Sequence, residues 1–282
     1  METGTDEPPR KKTKVRGRNA TELAKRKPYS FDGRIVYDDA AHRYTVDGQV
    51  VPVSATTLIN RAYEGEAFDG RVVATRCLAS WQAGRGKPEY VELVQGKSDE
   101  DAISAILEKW GTTSKLGTLL HKVVEMSYND TPMDPEEYAP VAAEAETFEE
   151  FRHKCGLECI RTELSLFYAK DDGSVLAAGQ LDLLMKDPDG NLMIVDLKRT
   201  GKDLSPTARP GSAVPLFDSL KDTPFHRYSL QNSIYSVMFE RLTGTPVDKL
   251  HILQIVPGGG EVKLLHCSDL RKEARTLLEN LS

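Results

Sequence analysis

No stretch of this 282-residue chain approaches the roughly 18 consecutive apolar residues that a membrane-spanning helix needs, so a membrane partner is not expected. The basic opening lacks the apolar centre of a secretory signal. Cysteine is scarce. Cys77, Cys155, Cys159 and Cys267 match neither a zinc-ligand spacing nor a disulfide framework and read as reduced intracellular thiols. Cys155 and Cys159 can share a helix face, but the preferred reading puts an element boundary between them. There is no Gly-x-x-x-x-Gly-Lys-Ser/Thr phosphate loop and no internal repeat. Positive charge is also short, with a net charge of -6. Residues 1–28 hold nine Lys/Arg and four Asp/Glu, which leaves 28 basic and 39 acidic side chains, a net of -11, for the rest. Nucleic-acid binding would therefore need a local basic track, with metal ions offsetting acids near the phosphates.

What is present, 39% hydrophobic and 28% charged residues, suits a soluble globular chain of one large domain or two small ones. Residues 1–28 read as a disordered basic tail. Within it, Pro9 to Val15 has the look of a nuclear-import signal, and equally of a phosphate-contacting or merely solubilising run. Residues 29–115 are expected to form a hairpin, turning at Asp47-Gly48, and a helical subdomain with helices over 55–63, 71–82 and 99–110. Residues 116–282 are expected to form an α/β core, a central mixed β-sheet flanked by helices. It should contain helices over 118–128, 135–154 and 224–242, a strand over 159–168, and strands near 249–256 and 261–266. A long irregular loop over 200–223 separates two of these elements.

The most informative stretch is Gly179 to Arg199. Two apolar runs flank Asp187-Pro188-Asp189-Gly190, whose residue types suit a three-residue hairpin loop over Pro188 to Gly190. Asp187 then faces Asn191, and the same register sets Asp182 opposite Asp196. Alternation puts Leu181, Leu183, Met185, Met193, Val195 and Leu197 on one face. Asp182, Asp196 and Lys198 share the other, with Gln180, Leu184, Leu192 and Ile194. Facing carboxylates repel, and a divalent cation between Asp182 and Asp196 would offset the repulsion. An ordinary hairpin with a solvated polar end is the bland alternative.

Other candidates have equally plain readings. Glu163 stands in a strand-like run and can add a third carboxylate, or be a surface strand residue. His121 lies at the margin of the apolar stripe Leu116, Leu119, Leu120, Val123 and Val124, with Gly117 one turn before it. It reads as a metal ligand or water-orienting group, or as a satisfied core-edge histidine. Arg227, Gln231 and Tyr235 follow at helical spacing and can hold a phosphate, a base and Lys198; equally, Tyr235 is core and Gln231 solvated.

Together these residues resemble the RecB-type nucleases of the PD-(D/E)xK superfamily, which include the mitochondrial genome maintenance exonuclease and the CRISPR-associated RecB-like exonucleases. Gly117-x-x-x-His121 is similar to the family's helical His motif and Glu163 to its first acidic strand. Gly179-x-x-Asp182, Asp196-Leu197-Lys198 and Gln231-x-x-x-Tyr235 follow in the family's order, over a little under half the chain. The resemblance implies a restriction-endonuclease-like core and phosphodiester hydrolysis assisted by Mg2+ or Mn2+. Asp182, Asp196, His121 and Glu163 would hold the metal, and Lys198 would orient or help deprotonate the attacking water. Gln231, Tyr235 and Arg227 would contact the substrate. DNA is the expected partner, entered from a single-stranded end in replication, recombination or repair. The clustered cysteines that hold an iron–sulfur cluster in some relatives are absent, so no cluster is expected. An endonuclease on DNA or RNA, or a non-catalytic nucleic-acid binder that keeps the fold, remain the rival readings.

Overall fold

A computed structural model describes residues 21–38, 41–64 and 69–281. The chain enters order earlier than its composition suggests. Helix α1 (Glu22–Arg26) is capped by the Thr21 side chain and buries Leu23 and Ala24, so residues 21–28 are not a disordered tail. The basic run Pro9 to Val15 lies outside the described residues. Strands β1 (Ile35–Asp38), β2 (Arg43–Val46) and β3 (Gln49–Val50) form a small antiparallel sheet. Its Asp47-Gly48 turn has positive φ at both residues, as a two-residue hairpin loop with strand-matched twist requires.

Strand β4 (Val53–Ser54) leads into α2 (Ala55–Arg61), where Ser54 accepts a hydrogen bond from the Thr57 N–H as N-cap. A two-residue strand β5 (Tyr63–Glu64) follows, then α3 (Gly70–Gln82) and α4 (Pro88–Val94). No helix is expected over the residues of α4, where Pro88 supplies the first turn. Helix α5 (Asp99–Tyr128) is continuous over 30 residues, joining the two helices expected over 99–110 and 118–128. The division expected at 115/116 thus falls inside one helix. The intervening run is poor in helix formers (Gly111, Thr112, Thr113, Ser114, Gly117), yet the helix continues through it.

Helix α6 (Pro135–Tyr138), a 3-10 turn (Ala139–Val141) and α7 (Ala142–Lys154) replace the single helix expected over 135–154. The break is at Pro140, which cannot donate to a continuing helix. Strands β6 (Glu158–Ala169), β7 (Val175–Lys186) and β8 (Leu192–Arg199) are consecutive antiparallel partners. Cys155 caps the end of α7 and Cys159 lies in β6, on either side of an element boundary as read.

The 200–223 segment holds only a short strand, β9 (Val214–Pro215), paired with β5. Helix α8 (Pro224–Thr243) starts with Thr223 as cap and Pro224 in its first turn, and ends at left-handed Gly244. Strands β10 (Lys249–Ile255) and β11 (Val262–His266) and helix α9 (Arg271–Glu279) complete the fold.

The central sheet is mixed and six-stranded, in the order β11-β10-β8-β7-β4, with β6 along the other edge of β7. One face packs on α8, burying Leu184, Ile194, Ile252, Leu230, Ile234 and Met238 together. The other packs on α5 and α7, where Leu183, Met185, Met193, Val195 and Leu197 meet Leu120, Val124 and Phe148. Leu181 is the exception to the expected alternation, since it joins the first cluster. Among the described residues no helix is long and apolar enough to cross a membrane.

Candidate active site

The hairpin has the register read from its turn. Gly190 takes a φ of +90°, Asp187 and Asn191 face each other, and Leu183 pairs with Val195. The β7–β8 ladder stops there, one position short of Asp182 and Asp196. Beyond it the Leu197 N–H donates to the Asp182 side chain at 2.7 Å instead of to a strand partner. On the same edge of β7, β4 pairs only at Ala177 and Ala178. The stretch Gly179 to Asp182 therefore lies in the gap between two partners. Strands that part in this way leave a crevice at the sheet.

Three elements bring side chains to that gap. Glu163 is on β6, opposite the break, with a φ of +47°. That left-handed conformation is unusual for a residue with a Cβ inside a strand and is strained. The Glu163 carbonyl accepts a hydrogen bond from Gln180 Nε2 at 2.7 Å. His121 reaches in from α5. Its Nε2 donates to the Leu197 carbonyl at 3.0 Å, which turns Nδ1 toward Glu163 at 3.5 Å and Asp182 at 3.6 Å. Burial alone would push the imidazole down, but Asp182 and Glu163 outweigh it and raise it to about 9. Nothing packs against Gly117, so its place in the motif is not explained by close approach of another chain segment.

Asp196 is 1% exposed, and its Oδ1 accepts from the Lys198 ammonium at 2.6 Å. Lys198 also lies 3.9 Å from Asp182 Oδ2. The positive charge between the two facing carboxylates is thus the ammonium of Lys198. Burial pushes Asp196 up to about 7, despite Lys198. Burial opposes the charge on Lys198 as well, but Asp196 and Asp182 hold it above the usual lysine range. At neutral pH it is a cation, suited to orient groups rather than to take a proton.

His121, Glu163 and Asp182 each offer a ligand atom, all within 4.8 Å of one another, and such a group can hold a metal ion. The donor set, two carboxylates and an imidazole, suits a divalent ion that accepts oxygen ligands. A further sign of fit is Asp196 Oδ2, which is buried without a hydrogen-bond partner and would gain most from a nearby cation.

The other expected residues divide. Gln231 Nε2 donates to the Tyr235 hydroxyl at 3.3 Å, and Tyr235 packs on Gly179 beside the gap. Tyr235 is 5% exposed, held in the core, and burial raises its hydroxyl pKa well above the usual range. Arg227 is not brought to the site. Its guanidinium pairs with Asp222 at 2.8 Å and lies 3.9 Å above the Tyr63 ring, so its charge is engaged elsewhere. The residue of this helix that does meet Lys198 is Tyr228, whose ring centroid is 4.9 Å from Nζ. Its spacing, one turn before Gln231 and two before Tyr235, was readable as the same helix face.

Arg199 and Glu144 had no sequence signal. Glu144 is buried and accepts from Arg199 Nε at 2.8 Å and from the Gly258 N–H at 3.1 Å. The pair anchors the end of β8 immediately after Lys198.

No protein-family profile matches this chain, and no curated protein does. Solved structures similar to it include the following two. One is the crystal structure of a protein named SSO0001, 13% identical with a TM-score of 0.31, over 81% of this chain and 73% of that one. The other, titled "Putative exonuclease", is from Eubacterium rectale, 12% identical with a TM-score of 0.34, over 76% of this chain and 65% of that one.

Proposed function

We propose that this protein is a metal-dependent nuclease that hydrolyses phosphodiester bonds of DNA, in the manner of the RecB-type PD-(D/E)xK enzymes its motifs resemble. One observation carries the reading: a His121, Glu163 and Asp182 ligand group stands beside a Lys198 ammonium shared by Asp182 and Asp196. A structural ion pair needs neither the third carboxylate nor the strained backbone that delivers it. A bound Mg2+ or Mn2+ supplies Lewis acidity at the scissile phosphate.

The protein's own groups do the rest. His121 Nδ1, Glu163 and Asp182 would hold the ion, with the unpartnered Asp196 Oδ2 a further oxygen donor. Lys198 presents its ammonium to the phosphate and orients the attacking water. Tyr228 and Asp196 hold that ammonium in place. Gln231 and Tyr235 support the crevice wall next to Gly179. We further assign the substrate as single-stranded DNA entered from an end, and the setting as replication, recombination or repair.

Digestion of end-labelled linear and circular single-stranded and double-stranded DNA and RNA tests this, with Mg2+ or Mn2+ and with EDTA. Metal-dependent shortening of linear single strands is expected, with loss of at least about 100-fold in Asp196→Ala and Lys198→Ala. Equal cleavage of circles would make it an endonuclease. Activity surviving both substitutions would remove these residues from the chemistry.

A further inference from the structure

Residues 21–34, which composition assigned to a tail and its junction, lie along β6 at the point where its backbone is strained. Arg161 on β6 is fully buried, and its Nη1 donates to the Lys27 carbonyl at 3.0 Å and to Asp32 Oδ2 at 2.9 Å. Its Nη2 donates to Asp32 Oδ1 at 3.1 Å, and the Tyr29 ring lies against the guanidinium. The next residue, Thr162, is tied to the same segment through Asn129. Asn129, the C-cap of α5, donates to Thr162 Oγ1 at 2.9 Å and accepts the Leu23 N–H at 2.9 Å. The residue after that is Glu163, at a φ of +47°. Phe31 anchors the far end of the segment in the core, edge-on to Phe167.

Among the described residues β6 pairs only with β7 in the sheet, and the segment covers its other edge at Arg161 and Thr162. A left-handed residue inside a strand relaxes to ordinary extended backbone unless its neighbours are held. Arg161 and Thr162 are the neighbours held here. Relaxation at Glu163 would swing its side chain away from His121 and Asp182.

We propose that residues 21–34 act as a brace that positions Glu163, so that the Asp32–Arg161 and Leu23–Asn129–Thr162 links set the metal affinity of a site that none of residues 21–34 lines. The inference rests on the reading of His121, Glu163 and Asp182 as metal ligands. Asp32 and Asn129 are positioning residues in this scheme, acting only through Glu163.

The test is Mn2+ titration by calorimetry of the full chain, well below its unfolding temperature. Asp32→Asn and Asn129→Ser are each made alone and combined with Glu163→Gln. Partners that orient a ligand typically change metal affinity by about 10- to 100-fold. A loss of that size is expected when Glu163 is present, and no further loss in the Glu163→Gln background. Such coupling is what a cycle isolates and what general destabilisation would not produce. Unchanged Mn2+ affinity in the single variants, or an equal loss in both backgrounds, would overturn the brace alone. If Asp32→Asn does not fold, Asn129→Ser, which leaves the Arg161 pair intact, decides the matter by the same criteria. A wild-type chain that binds no Mn2+ would overturn the metal reading and the brace with it.

Discussion

Replacing Gly179 by alanine should destabilise the protein by overpacking rather than by any change in backbone preference. A Cβ at this position would stand 2.6 Å from Tyr235 Cε1 and 2.8 Å from Ala55 Cβ, with the Tyr235 hydroxyl oxygen further off at 3.4 Å. Neither neighbour is free to retreat. Ala55 begins α2 and is 2% exposed, and the Tyr235 ring is held in the core of α8 and the sheet. Forcing one carbon into such a contact costs typically 1–3 kcal/mol. For a chain of this size, about 2 kcal/mol lowers the unfolding midpoint by roughly 4–8 °C. Scanning calorimetry or urea unfolding of Gly179→Ala measures it. The geometry also predicts which second substitution helps. Tyr235→Leu clears the clashing ring carbon and should couple favourably with Gly179→Ala. Tyr235→Phe removes only the distant hydroxyl and should not. A Gly179→Ala protein within about 0.5 kcal/mol of wild type, or rescue by Tyr235→Phe as complete as by Tyr235→Leu, would refute the reasoning.

Two further outcomes follow from the charges. In EDTA, stability should fall as pH rises from about 6.5 to 9, because His121 and Asp196 bind protons more tightly when folded, whereas below 6.5 the partly buried His251, lowered to about 4, offsets Asp196. Asp196, raised from 3.8 to about 7, loses its share across that interval, and His121, raised from 6.5 to about 9, loses its share between those values. Urea midpoints should therefore slope downward above about pH 6.5, His121→Gln should flatten that slope, and Asp196→Asn should leave the midpoint rising with pH below it. A level wild-type profile would contradict the burial argument. Arg227→Gln should cost about 1 kcal/mol through the lost Asp222 and Tyr63 contacts. Its cleavage rate and salt slope should stay at wild-type values, and a shallower salt slope would return Arg227 to the substrate-binding residues.

Local pattern carried much of this molecule. The loop residues Pro188 to Gly190 were enough to set the register that brings Asp182 toward Asp196. Helix starts at Ser54 and Thr223 were legible because capping is a transaction between neighbours a few residues apart. Alternation in β7 and β8 predicted the face of Leu183, Met185, Met193, Val195 and Leu197, failing at Leu181, beside the interrupted pairing.

What tertiary structure alone decided is the content of the site. Sequence shows that two carboxylates face each other but not that Lys198 lies between them, because a long side chain goes where partners from other strands attract it. Nor does it show a left-handed Glu163, since the conformation is imposed by Arg161 and Thr162 being tied to residues over a hundred positions earlier or to the end of α5. Nor does it show where the Arg227 charge is engaged, its partners being the nearby Asp222 and the distant Tyr63. Residues 21–28 look like tail by composition, and only the buried Leu23, Ala24 and the Arg161 pocket give them somewhere to pack. Backbone propensity and apolar period act over a few residues and can be read along a line, whereas desolvation and charge pairing act between segments that only the folded chain brings together.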